Sequence, residues 1–235
     1  MSHANEVAEP MTTSMSKRTK AILDRVSVGT FVVVWLFAFF DLGPQLLAND
    51  LRIAAPLGIL AGYLLADFLA GSVHWLADRF FDPKTPVLGP MLIAPFREHH
   101  VDAMSITRHD FFEVSGNNSL VSIPLVMAIL LLPPPEDFMT TFSAIFGLSL
   151  ALMLVATNQF HGWAHTPHPP RFVRTLHGLG LILTPERHAR HHSGRRDRAY
   201  CVTSGWLNPI LDGLRFFERI ENLVASSTRN RKRMT

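Results

Sequence analysis

Four apolar stretches constrain what this chain can fold into. They run from Val26 to Phe40, with a continuation past Asp41 and Pro44 to Ala48, from Ile53 to Leu69 and on through Ser72 to Leu76, from Leu120 to Leu132, and from Phe138 to Ala156. Crossing a bilayer takes about 20 apolar residues, and only a helix or a closed barrel satisfies its own backbone there. The second and fourth stretches approach that length. The first and third are shorter, and the third carries Pro124 before it stops at Pro133-Pro134-Pro135. The pattern predicts an all-α polytopic membrane protein with about four transmembrane helices. Only 17% of the residues are charged, against about 25% in soluble domains. At 235 residues the chain is one domain by length.

Charge placement orients the spans. Arg52 is the one Lys or Arg between the first and second stretches, and 133–137 has none. The other 21 of 22 basic residues precede the first stretch, lie between the second and third, or follow the fourth. Basic residues collect on the cytoplasmic side, so both termini and the long 74–119 loop are expected there. Residues 1–20 read as a disordered polar tail, 21–225 as the membrane-embedded domain and 226–235 as a basic tail. That tail reads as drawn to anionic lipid headgroups, so no nucleic-acid partner is expected. A single cysteine, Cys201, excludes an internal disulfide and a cysteine-based zinc cluster.

The chain carries 12 histidines, and this topology puts all of them on the cytoplasmic side. His74 and Asp78 are four apart at the end of the second stretch, on one helical face. Glu98-His99-His100 and His109 occupy the following loop. His161 and His165 are again four apart beyond the fourth stretch, and His188, His191 and His192 have the same one-face spacing. A helical bundle gains nothing structurally from nine such histidines at one face, because protonated imidazoles repel. Metal ligation removes that difficulty, since imidazole binds as the neutral form. Nine histidines exceed the three of a catalytic zinc, so two metals are expected. Imidazoles with one carboxylate and no thiolate fit non-haem iron. These residues alone leave a dizinc membrane hydrolase open.

Several motifs carry a resemblance. Val73-His-Trp-Leu-Ala-Asp78, Pro95-Phe-Arg-Glu-His-His100, Ile106-Thr-Arg-His-Asp-Phe-Phe-Glu113, Thr157-Asn-Gln-Phe-His-Gly-Trp-Ala-His165, His188-Ala-Arg-His-His192, Tyr200-Cys201 and Gly205-Trp-Leu-Asn208 resemble the lipid desaturase family in order and spacing. That family includes plasmanylethanolamine desaturases and a chloroplast enzyme acting on phosphatidylglycerol palmitate. The resemblance covers about residues 25 to 222. It implies metal ligands among His74, Asp78, His99, His100, His109, His161, His165, His188, His191 and His192. It also implies two iron ions, O₂ as co-substrate and a phospholipid substrate, foremost a 1-O-alkyl ethanolamine lipid converted to its vinyl ether, with an ester-linked acyl chain as the alternative. Without a Rossmann glycine fingerprint or a haem-attachment motif, electrons are expected from a cytochrome b5-like or ferredoxin-like donor. His168 and His177 match no family position and read as surface or packing residues. Asp67 reads as an interhelical hydrogen-bonding group. Trp75 and Trp163 read as interfacial anchors. Arg195, Arg196 and Arg198 read equally as a lipid-phosphate or donor contact and as a solvated loop.

Overall fold

The computed structural model of the chain describes residues 16–48, 53–86, 88–89 and 93–233. Four long helices form the body: α1 (Lys17–Ala48), α2 (Ala54–Arg79), α4 (Phe111–Ile129) and α5 (Phe138–Ala164). Short helices α3 (Ala94–Val101), α6 (Arg171–Gly178), α7 (Pro185–His192) and α8 (Asn208–Gly213) lie between and after them, and α9 (Phe216–Arg233) closes the chain. No strand occurs among the described residues, so the all-α expectation holds.

Three of these helices are long and apolar enough to cross a membrane: Lys17–Gln45, Ala54–Arg79 and Phe138–Ala164. The remaining expected span, the third stretch, belongs to α4, whose 19 residues begin well before the apolar run. Its first half carries Glu113, Ser115, Asn117, Asn118 and Ser119, and that polarity keeps it below the other three. Asp110 starts it early, its side chain accepting from the Glu113 amide at 2.9 Å. Large apolar side chains face outward, among them Phe37 and Phe40 on α1, Ile59 on α2 and Val121 on α4, each more than half exposed. In water such a surface would be costly; in lipid it is the expected one. The protein is an integral membrane protein.

Small residues decide the closest helix packing. Ala54, Gly58, Gly62 and Ala66 recur every fourth residue on α2, and all are buried. A Cβ on Gly62 would stand 2.5 Å from the Phe146 carbonyl oxygen of α5. The two backbones therefore touch, as small-xxx-small seams allow in membranes. Gly58 meets Phe142 and Ile145 while Gly62 meets Phe146 and Leu150, so α2 and α5 run parallel. Across α4 and α5, Asn118 Nδ2 donates to the Leu154 carbonyl at 2.7 Å and Asn158 Nδ2 to the Val114 carbonyl at 3.0 Å. These two helices are antiparallel. The start of α1, the end of α2, the start of α4 and the end of α5 thus share one end of the bundle, where α3 and α7 also sit.

The helices overrun two expected boundaries. α1 begins at Lys17, where Ser16 Oγ accepts from the Thr19 amide at 3.1 Å, so residues 17–20 are helical; residues 1–15, His3 included, lie outside the described residues. α9 runs unbroken to Arg233, so the backbone of the basic segment from 226 is helical. Trp75 also departs from expectation. It is buried against Phe217 with ring centroids 5.2 Å apart, and its Nε1 donates to Glu221 at 2.8 Å. The partner that holds it is α9, 146 residues away. Trp163 is half-buried and packs on Phe160 and Phe172.

Candidate metal centre

Helical spacing sorts the candidate ligands into two groups. On α7, His188 and His192 are four apart and join one group, while His191 turns into the other. Consecutive residues point about 100° apart on a helix, so His99 and His100 on α3 divide the same way. His161 near the end of α5 and His165 at its C-cap complete a group of five: His99, His161, His165, His188 and His192. His74 and Asp78, from the last turns of α2, complete the second with His100 and His191. Nine of the ten expected residues are brought together.

The separations match shared ligation. In the five-histidine group, Nε2–Nε2 distances are 2.8 Å for His161–His188, 2.9 Å for His188–His192 and 3.0 Å for His99–His192. In the other, His100 Nε2 stands 3.4 Å from His74 Nε2 and 3.3 Å from His191 Nε2. Nitrogens held about 2.1 Å from one metal stand roughly 3.0 Å apart across an octahedral edge and roughly 3.4 Å across a tetrahedral one. Asp78 places its oxygens 3.2 Å from His100 Nε2, 3.4 Å from His191 Nε2 and 3.5 Å from His74 Nε2. Yet both of its oxygens are buried without a hydrogen bond, as is His165 Nε2. Buried polar atoms without partners are rare, and a cation between these donors resolves them.

Electrostatics put the imidazoles in the ligating form. Burial, then repulsion from neighbouring histidines, lowers His99 to about 2, His165 to about 4 and His192 to about 3. The same causes hold His188 well below the usual histidine range. All four are neutral at physiological pH, with a nitrogen lone pair to offer.

A folded-back segment steadies the second group. His191 Nδ1 lies 2.8 Å from the Arg198 carbonyl and His74 Nδ1 3.2 Å from that of Tyr200. These contacts place the proton on Nδ1 and aim Nε2 inward. Asp67 pins the segment: its Oδ1 accepts from the Thr203, Ser204 and Gly205 amides at 3.0, 2.8 and 3.0 Å, and its Oδ2 from Leu207 at 3.3 Å. Its partner is thus a loop backbone instead of the neighbouring helix expected from sequence. Asn208 brackets Cys201 through both side-chain atoms, at 2.8 and 2.9 Å. Gly71 lets α2 come close, since a Cβ there would stand 2.7 Å from Cys201 Sγ. Arg187 ties α7 to the same loop, donating to the Gly180 and Ser204 carbonyls at 3.1 and 3.0 Å. The carbonyls of Arg198 and Tyr200 carry no sequence signal. Asp67 did, as an acid inside an apolar run.

His109 is placed apart from both groups. It pairs with Glu113, one turn on, at 2.9 Å and is half-exposed, because Asp110 starts α4 on the far side of a cleft. His99 and His161 form part of that cleft's wall, and Lys20, Glu98, His109 and Glu113 also line it. His168 is exposed and His177 half-buried, both outside the groups. Arg195 is exposed and pairs with Asp197 at 3.1 Å.

Comparison with known proteins gives the same direction. The lipid desaturase domain matches residues 63–235. Plasmanylethanolamine desaturase of Myxococcus xanthus is 45% identical over 170 residues, covering 72% of this chain and 60% of that protein. Plasmanylethanolamine desaturase 1 of Mus musculus is 40% identical, covering 75% and 67%. Fatty acid desaturase 4, chloroplastic, of Arabidopsis thaliana is 34% identical, covering 68% and 49%. The chain thus spans about half to two thirds of the length of these relatives. No solved structure matches it.

Proposed function

The chain belongs to the lipid desaturase family, and on that premise we propose that it converts a 1-O-alkyl (plasmanyl) ethanolamine lipid to the vinyl ether plasmalogen. The observation that carries the reading is the pair of donor groups, five histidines beside three histidines and Asp78, at the end of a lipid-facing bundle. Two of the relatives above carry the name plasmanylethanolamine desaturase.

Two iron ions fit the donor set: His99, His161, His165, His188 and His192 would hold one, and His74, Asp78, His100 and His191 the other. Imidazole-rich sites with a carboxylate and no thiolate suit non-haem iron, which when bound supplies the O₂ chemistry that an unactivated C–H bond requires. The overall change removes two hydrogens from C1 and C2 of the alkyl chain; with O₂, two electrons and two protons it yields the vinyl ether and two waters. The residues of this chain keep nine ligands in fixed positions. Burial of His99 and His188 excludes water from the reacting side. The Arg198 and Tyr200 carbonyls hold His191 and His74 in the ligating tautomer. An external one-electron carrier of the cytochrome b5 or ferredoxin class supplies the electrons, at the cytoplasmic face expected from the distribution of basic residues.

The test is lipid mass spectrometry on a plasmalogen-free host that expresses the chain. The expected product is an acid-labile lipid releasing a fatty aldehyde, formed only with O₂ and abolished by iron chelation. Desaturation of the ester-linked analogue alone would overturn the substrate and keep the desaturase. Two zinc ions per chain with hydrolysis, or turnover without O₂, would overturn the chemistry.

A further inference from the structure

We propose that the cleft between α1, α3 and the start of α4 is the headgroup subsite, with Glu113 and Glu98 recognising the primary ammonium of an ethanolamine lipid. This rests on the ether-lipid reading above and assigns its headgroup selectivity to named residues.

The argument begins with reach. In a 1-O-alkyl phospholipid the reacting C1–C2 bond adjoins the ether oxygen, so glycerol, phosphate and amine follow within about ten bonds. A substrate desaturated there must place its polar end beside the metal centre. The cleft is placed for this: His99 and His161 of the five-histidine group form part of its wall. His99 is 3% exposed, so the wall it shares with the cleft is a closed edge of the five-histidine group.

The charges then select. Lys20 is held by both Asp24 oxygens, at 2.7 and 2.8 Å, so that pair is neutral overall. Its ammonium keeps one N–H for a phosphate oxygen. His109 pairs with one oxygen of Glu113 at 2.9 Å, which leaves the other oxygen free to accept. Glu98 adds a second carboxylate on the opposite side, from α3. Asn118 and Asn158 each give one N–H to a helix carbonyl, which ties their side chains down and leaves each a carbonyl oxygen and one N–H. Two carboxylates suit a cationic group with three N–H donors. A trimethylammonium keeps the charge but has no N–H to donate, and a glycerol headgroup has no positive charge, so each is held less tightly.

Binding tests this without turnover. The full chain in detergent is titrated with 1-O-alkyl ethanolamine, choline and glycerol phospholipids and read by native mass spectrometry. Wild type should bind the ethanolamine lipid at least about tenfold more tightly than the other two, the equivalent of 1.4 kcal/mol. Glu113→Gln should bring the three within about threefold of one another while iron content stays unchanged, with Glu113→Asp intermediate; Glu136→Gln, at the far end of α5, should change nothing. Equal affinities in wild type, or a uniform loss for all three lipids in Glu113→Gln, would overturn the subsite. If wild type binds selectively but makes no vinyl ether, the reaction assignment fails and the subsite stands.

Discussion

The two donor groups share α3 and α7 yet are built differently. The group of His74, Asp78, His100 and His191 includes a carboxylate, and the segment from Arg198 to Tyr200 braces it from behind. The five-histidine group has no anion, His99 and His188 lack a partner at Nδ1, and two of its members wall the cleft. With neutral imidazoles, one group would meet a divalent cation with a compensating charge and the other would not. Charge and bracing both raise affinity. The contrast teaches that the braced group would anchor an ion better, while the bare one borders the cleft.

The largest expected effect is loss of a donor. His161→Ala and Asp78→Ala should each lower activity by more than about 100-fold, beyond the 10–100-fold typical of supporting residues. Elemental analysis should then find about one iron per chain in His161→Ala, with the braced group still loaded. A chelator added to wild type should remove iron in two phases, the five-histidine group first. Single-phase release would break the comparison.

Next is the brace itself. Asp67→Ala leaves four backbone amides without their acceptor and should destabilise the protein by on the order of 3 kcal/mol, read as thermal unfolding in detergent. Iron loss should begin in the group containing His74 and His191. Equal loss from both groups would mean that the segment supports them alike.

Acid sharpens the contrast from the other side. In metal-free protein His99, His165 and His192 have folded-state values of about 2, 4 and 3, against 6.5 when unfolded. Below 6.5 the unfolded chain binds more protons, so stability falls as pH falls and levels off only below those folded values. Each such histidine costs about 1.4 kcal/mol per pH unit in that window. The melting temperature of the metal-free protein should therefore drop steeply between about pH 6.5 and 5. Iron-loaded protein should resist this until its ligands are protonated; identical pH profiles would contradict ligation.

The smallest effects concern histidines outside both groups. His109→Ala should keep two irons and lose less than about tenfold in activity, since an exposed pair is worth about 1 kcal/mol or less. His168→Ala and His177→Ala should stay within about twofold. Loss of iron in His109→Ala would return that residue to the ligands.

Much of this was legible in the residues. The apolar stretches gave three long helices, and the i, i+4 spacing of His74 with Asp78, His161 with His165 and His188 with His192 gave shared faces, because a helix fixes those offsets locally. α4 was harder to read, since a cap at Asp110 and a polar first half extend it beyond its hydrophobic run. Proximity in sequence groups His109 with His99 and His100, and only the path of the chain across the cleft separates it from them. Trp75 reads as interfacial because its partner on α9, Glu221, lies 146 residues on.

The helical class, the lipid-facing composition and the residue types of the candidate metal donors follow from the sequence alone, since these depend on residue identity and on spacings within one helix. The tertiary structure decided how nine donors divide into five and four, which carbonyls brace His74 and His191, and that Gly62 lets α2 touch α5. Those outcomes depend on contacts between segments tens of residues apart, which no local periodicity encodes.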